Sequence, residues 1–444
     1  MSRDLAFLVR LGLVPLGLVL LGGCAAQAGH DVAAGTRPNI LVILADDLGR
    51  EAVGFTGGAI ATPHLDALAA SGMSFTSAFS QPLCTPSRVK MLTGRSNARN
   101  YIGFSFLDPR ERTFVSLLRD AGYETAAAGK WQLYGAEHYK EDAGRGTLPA
   151  AAGFETWRLW QVKQLGSRYH DPLIEENGEL LTDTSGAYGP DLFVDFLLDF
   201  IRTPREVPFL AVYPMALPHG PFVPTPASED AASGRKNKQR NFVDMVEYTD
   251  ELVGRLVAGL EAEGLRGDTL ILFTCDNGTD RGIRTVVGDR EIVGGKRSPT
   301  DAGTRVPFAV SWPGVVRAGS RCDDLIDFSD VLPTLVAVSG SALPTDRVID
   351  GRSFLPQLTG ELGVPRDHVF IDHDPRPGNP AFPPERFVRG RRYKLYDDGR
   401  FFDVVADPDE LVPLDLDELG SPEQSAAHAR LTAALDAAPP RSAR

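Results

Sequence analysis

Cysteine is scarce in this chain. Four among 444 residues are too few for a disulfide scaffold, so a buried core must hold the fold. Positive charge is in deficit: the formal net charge is −13, which disfavours nucleic acid and anionic membranes as partners. An anionic substrate would therefore need a locally positive pocket. The apolar run Leu11 to Leu21 is too short for a comfortable membrane span. No internal repeat or long low-complexity run is visible, which excludes a repeat array. What remains is a chain with an ordinary hydrophobic fraction of 43%, as expected for a large globular core. Its length allows two or three domains, or one large α/β domain with a smaller appendage.

The N-terminus reads as a targeting segment. Arg3 and Arg10 flank a short charged start, and the apolar run ends in Leu21-Gly22-Gly23-Cys24, which resembles a bacterial lipoprotein box. Cleavage before Cys24 would leave its thiol to carry lipid. An ordinary signal peptide cut nearby and a retained anchor are the alternatives. The expected location is the bacterial cell envelope, periplasmic or surface facing, with membrane contact only through the lipid. Ala25 to Arg37 is a small-residue tether.

Pro82 to Gly94 reads as a loop that becomes a short helix. Pro86 suits a first turn, where its missing N–H costs nothing, and Gly94 is a plausible stop. Cys84 then sits at or next to the helix N-terminus, where backbone N–H groups and the dipole favour an anion. Arg88, about one turn on, can point back to the same place. Taken alone, such a cysteine is ordinarily a buried structural one.

Other chemistry-bearing residues follow short apolar runs. Asn39 to Ala45 reads as a strand buried on both faces of a parallel sheet, with Asp46 and Asp47 directly after it. Carboxylates there lie where open α/β sheets bind ligands. A cation would explain the repelling pair, and an Asp-rich turn is the plain alternative. Tyr123 to Ala128 is a strand leading to Gly129-Lys130-Trp131. Phe209 to Met215 leads to Leu217-Pro218-His219-Gly220-Pro221-Phe222. Thr269 to Thr274 leads to Cys275-Asp276-Asn277-Gly278, although D-N-G also marks ordinary turns. Gly294-Gly295-Lys296 and Gly303-Thr304-Arg305-Val306-Pro307 come next. Cys275 and Cys322 could pair, which sequence leaves open.

Helices are expected from Thr62 (N-cap) and Pro63 to Gly72, and over Thr113–Asp120, Asp191–Arg202, Asn241–Leu260, Asp324–Ser339 and Pro422–Ala438. Phe308 to Trp312 is a further strand. His368–His373, Arg386–Tyr396 and Arg400–Val405 suggest an antiparallel sheet. The stretch 132–190 is irregular and reads as binding loops.

These motifs resemble, in order, those of the type I sulfatases of the alkaline phosphatase superfamily. The run C-T-P-S-R followed by L-T-G is similar to the family signature. P-N-I-L-V-I-L-A-D-D-L-G, G-Y-x-T-x-x-x-G-K-W, P-H-x-P-F, D-N-G and G-K with G-x-R-V-P resemble its other motifs, over residues 38 to about 410. The resemblance implies an α/β fold with a large mixed, mainly parallel central sheet flanked by helices and a small C-terminal antiparallel-sheet subdomain. The corresponding division is signal peptide 1–23, tether 24–37, catalytic domain 38–360 and C-terminal subdomain 361–444.

The resemblance also implies that Cys84 is oxidised to formylglycine by a formylglycine-generating enzyme. Asp46, Asp47, Asp276, Asn277 and the modified Cys84 would hold one divalent cation, and this hard oxygen set suits Ca²⁺ first and Mg²⁺ second. Arg88, Lys130, His219 and Lys296 would stabilise developing negative charge, with His219 or Lys296 protonating the leaving alcohol. The substrate would be a sulfated small molecule or glycan. Two positions depart from the pattern: Gln132 stands where a His is usual, and Asp301-Ala302 where Glu-Gly is common. A phosphomonoester or phosphonate hydrolase of the same superfamily, or a catalytically impaired sulfate-ester-binding lipoprotein, are the other readings.

Overall fold

The computed structural model describes residues 37–136, 143–229, 234 and 236–442. The Leu21–Cys24 box and most of the tether lie outside the described residues. No helix among the described residues is long and apolar enough to cross a membrane.

The strands are β1 (Asn39–Ala45), β2 (Met73–Phe79), β3 (Glu124–Lys130), β4 (Thr156–Trp160), β5 (Ile174–Glu176), β6 (Glu179–Leu180), β7 (Phe209–Pro214), β8 (Thr269–Cys275), β9 (Arg284–Val287), β10 (Arg290–Val293), β11 (Arg305–Val306), β12 (Phe308–Ser311), β13 (Ser320–Asp327), β14 (Val369–His373), β15 (Glu385–Arg389), β16 (Tyr393–Tyr396) and β17 (Phe401–Asp403). An 11-stranded sheet runs β11-β2-β12-β8-β1-β7-β3-β4-β5-β6, with β13 paired to β2. Its centre, β8-β1-β7-β3-β4, is parallel throughout. β1 lies in the middle because its unbroken apolar run can be buried on both faces: Ile40 to Ala45 are all buried. Ile43 sits between Tyr213 and Phe273 in register.

Helices cover the sheet through one apolar stripe each. In Gly189–Arg202 the buried residues Phe193, Val194, Leu197, Leu198 and Ile201 recur at helical spacing. The 25-residue helix Lys238–Ala262 starts at Asn237, whose side chain accepts from Arg240 N. It packs against the helix Pro63–Ala70 so closely that a Cβ on Gly254 would meet the His64 ring at 2.6 Å. Thr62 occupies the N-cap position of that helix but does not cap it. Asp250 caps it from the neighbouring helix, accepting from His64 N at 3.1 Å and Leu65 N at 2.7 Å. The Thr62 hydroxyl accepts instead from Gly54 N and donates to Asp66.

The segment Asp324–Ser339 is not one helix. Residues up to Asp327 belong to β13, where Leu325 and Ile326 pair with Ser77 and Ala78 of β2, and the α-helix begins only at Val331. A strand edge left open by β2 outweighs the helical spacing of the apolar residues. Arg386–Tyr396 is likewise two strands, separated by a turn closed by Gly390 N donating to Tyr393 O.

The C-terminal sheet, β14-β15-β16-β17, is an antiparallel meander. Its strands alternate with period two. Val388, Tyr393, Leu395 and Phe401 face Ala427 and Leu431 of the helix Pro422–Asp436, while Ile371, Phe387, Tyr396 and Phe402 form a second cluster. A buried ion pair ties the two sheets to the helix Cys84–Thr93: Lys90 Nζ lies 2.7 Å from Asp327 of β13 and donates to Phe370 O of β14. Removing one partner of such a pair costs about 3–5 kcal/mol.

Candidate functional site

The parallel centre of the sheet brings the scattered motifs to one edge. Asp46 and Asp47 follow β1, Lys130 ends β3, the His219 loop follows β7, and Asp276 and Asn277 follow β8. Parallel strands present their C-terminal ends on the same side, and the site lies there. Cys84 is the first residue of the helix Cys84–Thr93, whose ten residues are all buried. That helix stops at Gly94, whose φ of 67° is the left-handed conformation glycine adopts freely. Gly129 has φ +126°, and a Cβ there would lie 2.0 Å from Pro214 O, so only glycine lets β3 deliver Lys130 beside β7.

Each lysine grips one carboxylate of the aspartate pair. Lys130 Nζ is 2.7 Å from Asp46 Oδ2 and Lys296 Nζ is 2.5 Å from Asp47 Oδ2. Asn277 Nδ2 donates to Asp47 Oδ1 at 2.8 Å, and Asp47 N donates to Asp276 Oδ1 at 3.2 Å. His219 Nε2 lies 3.0 Å from Lys296 Nζ and 3.5 Å from Asp47 Oδ2. Arg88 Nη2 donates to Lys130 O, while its buried Nη1 has no partner. The Cys84 thiol donates to Gln132 Oε1 at 3.5 Å. All the residues singled out for catalysis and metal binding between Asp46 and Lys296 thus join one network.

Burial alone would drive each of these groups neutral, and at Asp46, Lys130 and Lys296 the neighbours decide otherwise. Burial opposes ionisation of Asp46, but Lys130, His219 and Lys296 hold its carboxyl below the usual range. Burial and the Asp46 carboxylate push Asp276 well above it. Burial would lower both lysines, yet Asp46 keeps Lys130 and Asp47 keeps Lys296 above the ordinary ammonium value. Burial pushes the Cys84 thiol up and lowers His219 to about 4. Three buried carboxylates this close need a further cation to stay ionised together. Asp46 Oδ1 and Asn277 Oδ1 are buried without a hydrogen-bond partner, and ligand atoms of Asp46, Cys84 and Asp276 lie within 4.8 Å of one another. Hard oxygen donors left unpaired in this way fit a divalent cation of the Ca²⁺ or Mg²⁺ type.

Several nearby residues fall outside this network. Arg305 donates to Thr76 O and, with Arg389, faces Asp301, so it serves packing. Cys275 and Cys322 are both free; Cys275 Sγ accepts from Leu48 N and donates to Asn277 O, bracing the two acidic loops. A cavity of about 670 Å³ lies at the opposite end of the sheet beside Asn39 and Phe209 and holds none of these groups. Sequence reasoning did not single out Arg168. Its Nη1 is 3.0 Å from His219 Nδ1, and its guanidinium carbon lies 4.0 Å from the Trp160 ring centroid. The adjacent Tyr169 hydroxyl donates to Ala216 O at 2.7 Å and to His219 O, fastening the irregular stretch to the His219 loop.

The Sulfatase family profile matches residues 38–341, and the profile for the C-terminal region of N-sulphoglucosamine sulphohydrolase matches residues 294–437. Steryl-sulfatase of Rattus norvegicus is 28% identical over 94% of this chain and 89% of its own length. The ulvan-active sulfatase of Formosa agariphila is 26% identical over 90% of this chain and 81% of its own. A solved structure in complex with its substrate D-glucosamine-2-N,6-O-disulfate has a TM-score of 0.73 at 21% identity, covering 90% of this chain and 97% of that one, a likeness of fold.

Proposed function

The chain belongs to the sulfatase family and is a sulfuric ester hydrolase, and from that premise we propose that it releases sulfate from a sulfated carbohydrate through a modified Cys84 and a bound divalent cation. The observation that carries the proposal is the ring of buried cations around Cys84: Arg88, Lys130 and Lys296 beside three carboxylates. Cys84 here stands in for a hydrated formylglycine aldehyde. Once present, that group supplies the nucleophile toward sulfur, and Ca²⁺ (Mg²⁺ second) held by Asp46, Asp47, Asp276 and Asn277 supplies charge neutralisation.

The chain's own residues do the rest. The partnerless Arg88 Nη1 and the two ammonium groups offer donors for sulfate oxygens in a water-poor site, where such donors act strongly. Burial lowers His219 to about 4, and Lys296 Nζ lies 3.0 Å from its Nε2. Lys296 is therefore the acid within reach of a leaving alcohol, and His219 orients it. Burial of Cys84, with 1% of its surface exposed, excludes bulk water from the attacking position.

A carbohydrate leaving group is supported by the ulvan-active relative. The test is sulfate release from a panel of sulfated mono- and oligosaccharides, 4-nitrophenyl sulfate and a steroid sulfate, using protein co-expressed with a formylglycine-generating enzyme. Peptide mass spectrometry of the Cys84 segment should show the aldehyde. Turnover confined to the steroid sulfate would refute the carbohydrate, and faster turnover of 4-nitrophenyl phosphate than of the sulfate would shift the assignment to phosphoester hydrolysis. A full-activity protein that keeps the thiol would refute the modified nucleophile. The Leu21–Cys24 box supports lipid attachment at Cys24 in a cell envelope. Cys24→Ser should abolish membrane association.

A further inference from the structure

We infer that Arg168 is a second anion site, so that the preferred substrate is a sulfate ester whose leaving group carries another oxyanion, a carboxylate or a second sulfate. This rests on the sulfatase reading and deepens it. The inference comes from hydrogen-bond accounting around His219.

Two cations flank the imidazole, Lys296 Nζ at 3.0 Å from Nε2 and Arg168 Nη1 at 3.0 Å from Nδ1. Both are donors only, and a neutral imidazole has a single acceptor nitrogen. Gly220 O lies 2.5 Å from Nδ1, and a carbonyl oxygen can only accept. With the ring proton on Nδ1 it points to Gly220 O, and Nε2 accepts from Lys296; with the proton on Nε2 it faces Asp47 Oδ2 at 3.5 Å, and Nδ1 accepts from Arg168. In every state Arg168 spends at most one of its five donors on the ring.

Among the described residues no other group is hydrogen-bonded to the guanidinium. Among the described residues no carboxylate lies within ion-pair distance of Arg168, although most of the chain's other half-buried arginines have one, such as Arg158, Arg255 and Arg366. The position is nevertheless held. The guanidinium carbon lies 4.0 Å from the ring centroid of Trp160, the last residue of β4, and the next residue, Tyr169, is tied to the His219 loop. A planar fork, held over an aromatic face with at least four of its five donors unspent on protein groups, matches an oxyanion. Its distance from the reaction centre suits a group on the substrate other than the ester being cut. One imidazole ring separates Arg168 from Lys296, which itself contacts Asp47.

The test pairs esters that differ by one charge: N-acetylglucosamine 6-O-sulfate against glucosamine 2-N,6-O-disulfate for a second sulfate, and glucose 2-O-sulfate against glucuronate 2-O-sulfate for a carboxylate. Binding is measured by calorimetry on protein whose Cys84 is the unmodified thiol, with Ca²⁺ added, and kcat/KM on the matured enzyme. In at least one pair the doubly anionic ester should be preferred about 10–100-fold in both measurements, the range of a charge-assisted hydrogen-bonded contact. Arg168→Gln should bring that ratio to near one, and Arg168→Lys should retain part of it. A ratio near one in the wild type for both pairs overturns the inference. So does an equal loss on both members of a pair in Arg168→Gln, because that outcome would make Arg168 a contact of the scissile sulfate or a support for His219. Failure of the sulfatase reading looks different: no sulfate released from any ester, with the binding ratio and its loss in Arg168→Gln intact.

Discussion

Replacing Gln132 by His should speed the enzyme. Gln132 Oε1 accepts from the Cys84 sulfur at 3.5 Å, so residue 132 touches the attacking group directly. An amide can orient that group but cannot take a proton near neutral pH. The neighbouring imidazole is a weak substitute, because burial lowers His219 to about 4 and Lys296 Nζ lies 3.0 Å from its Nε2. General-base assistance is worth about 10²–10⁴-fold, or about 3–5 kcal/mol of barrier. Release of the alcohol draws on Lys296 and does not need a base at 132. Return of the site to its starting state, with expulsion of sulfate, does need one. Wild-type enzyme should therefore show a burst of alcohol followed by a slow steady rate in stopped-flow with 4-nitrophenyl sulfate. Gln132→His should raise the steady rate by about 10²-fold or more without enlarging the burst. The backbone permits it: φ at 132 is 51°, a region that His enters more readily than most side chains. No burst in the wild type, together with a slower Gln132→His, would refute the reasoning and show a site rebuilt around glutamine.

Other expectations follow from particular contacts. Stringent chelation or Asp47→Ala should lower turnover by more than about 10²-fold, with Ca²⁺ restoring the chelated wild type; unchanged rates in steady-state assays would rule out the metal. Gly129→Ala should lower the unfolding free energy from urea titration by at least about 2 kcal/mol, because its Cβ would strike Pro214 O; an unchanged free energy would mean that β3 can move away from β7. Burial lowers His373 from 6.5 to about 3 and leaves its Nδ1 unpaired. Above 6.5 both states are neutral; below it only the unfolded chain gains the proton, so stability falls as pH falls from 6.5 toward 3. At about pH 5 the loss is about 2 kcal/mol, and His373→Gln should flatten the pH dependence of the urea midpoint.

The legible part of the site is the part written locally. Asp46, Lys130, His219 and Asp276 each follow an apolar strand, so run and charged residue are read together, and parallel pairing then collects them at one edge. Arg168 was not legible because its meaning depends on a ring 51 positions away and on a hydrogen-bond conflict invisible in one dimension. The same holds for Asp250, which caps a helix 185 and 186 residues upstream. By local rules Thr62 suffices for that cap, because they choose the nearer acceptor. The strand at Leu325 and Ile326 was missed because the open edge of β2 that recruits it is itself a product of the fold.

If Cys84 is modified as proposed, the burial of the helix that begins there sets a clock on maturation. Cys84, Pro86 and Arg88 are all enclosed, and every other residue of the helix with them. No enzyme can grasp that segment in the finished molecule without first unfolding it. Any rewriting of the sulfur must therefore happen while the chain is still open, and a chain that folds first is sealed with its thiol. The active fraction then records a race between two rates. Conditions that delay folding should enrich the aldehyde, and a more stable, faster-folding variant could come out purer, better behaved and less active.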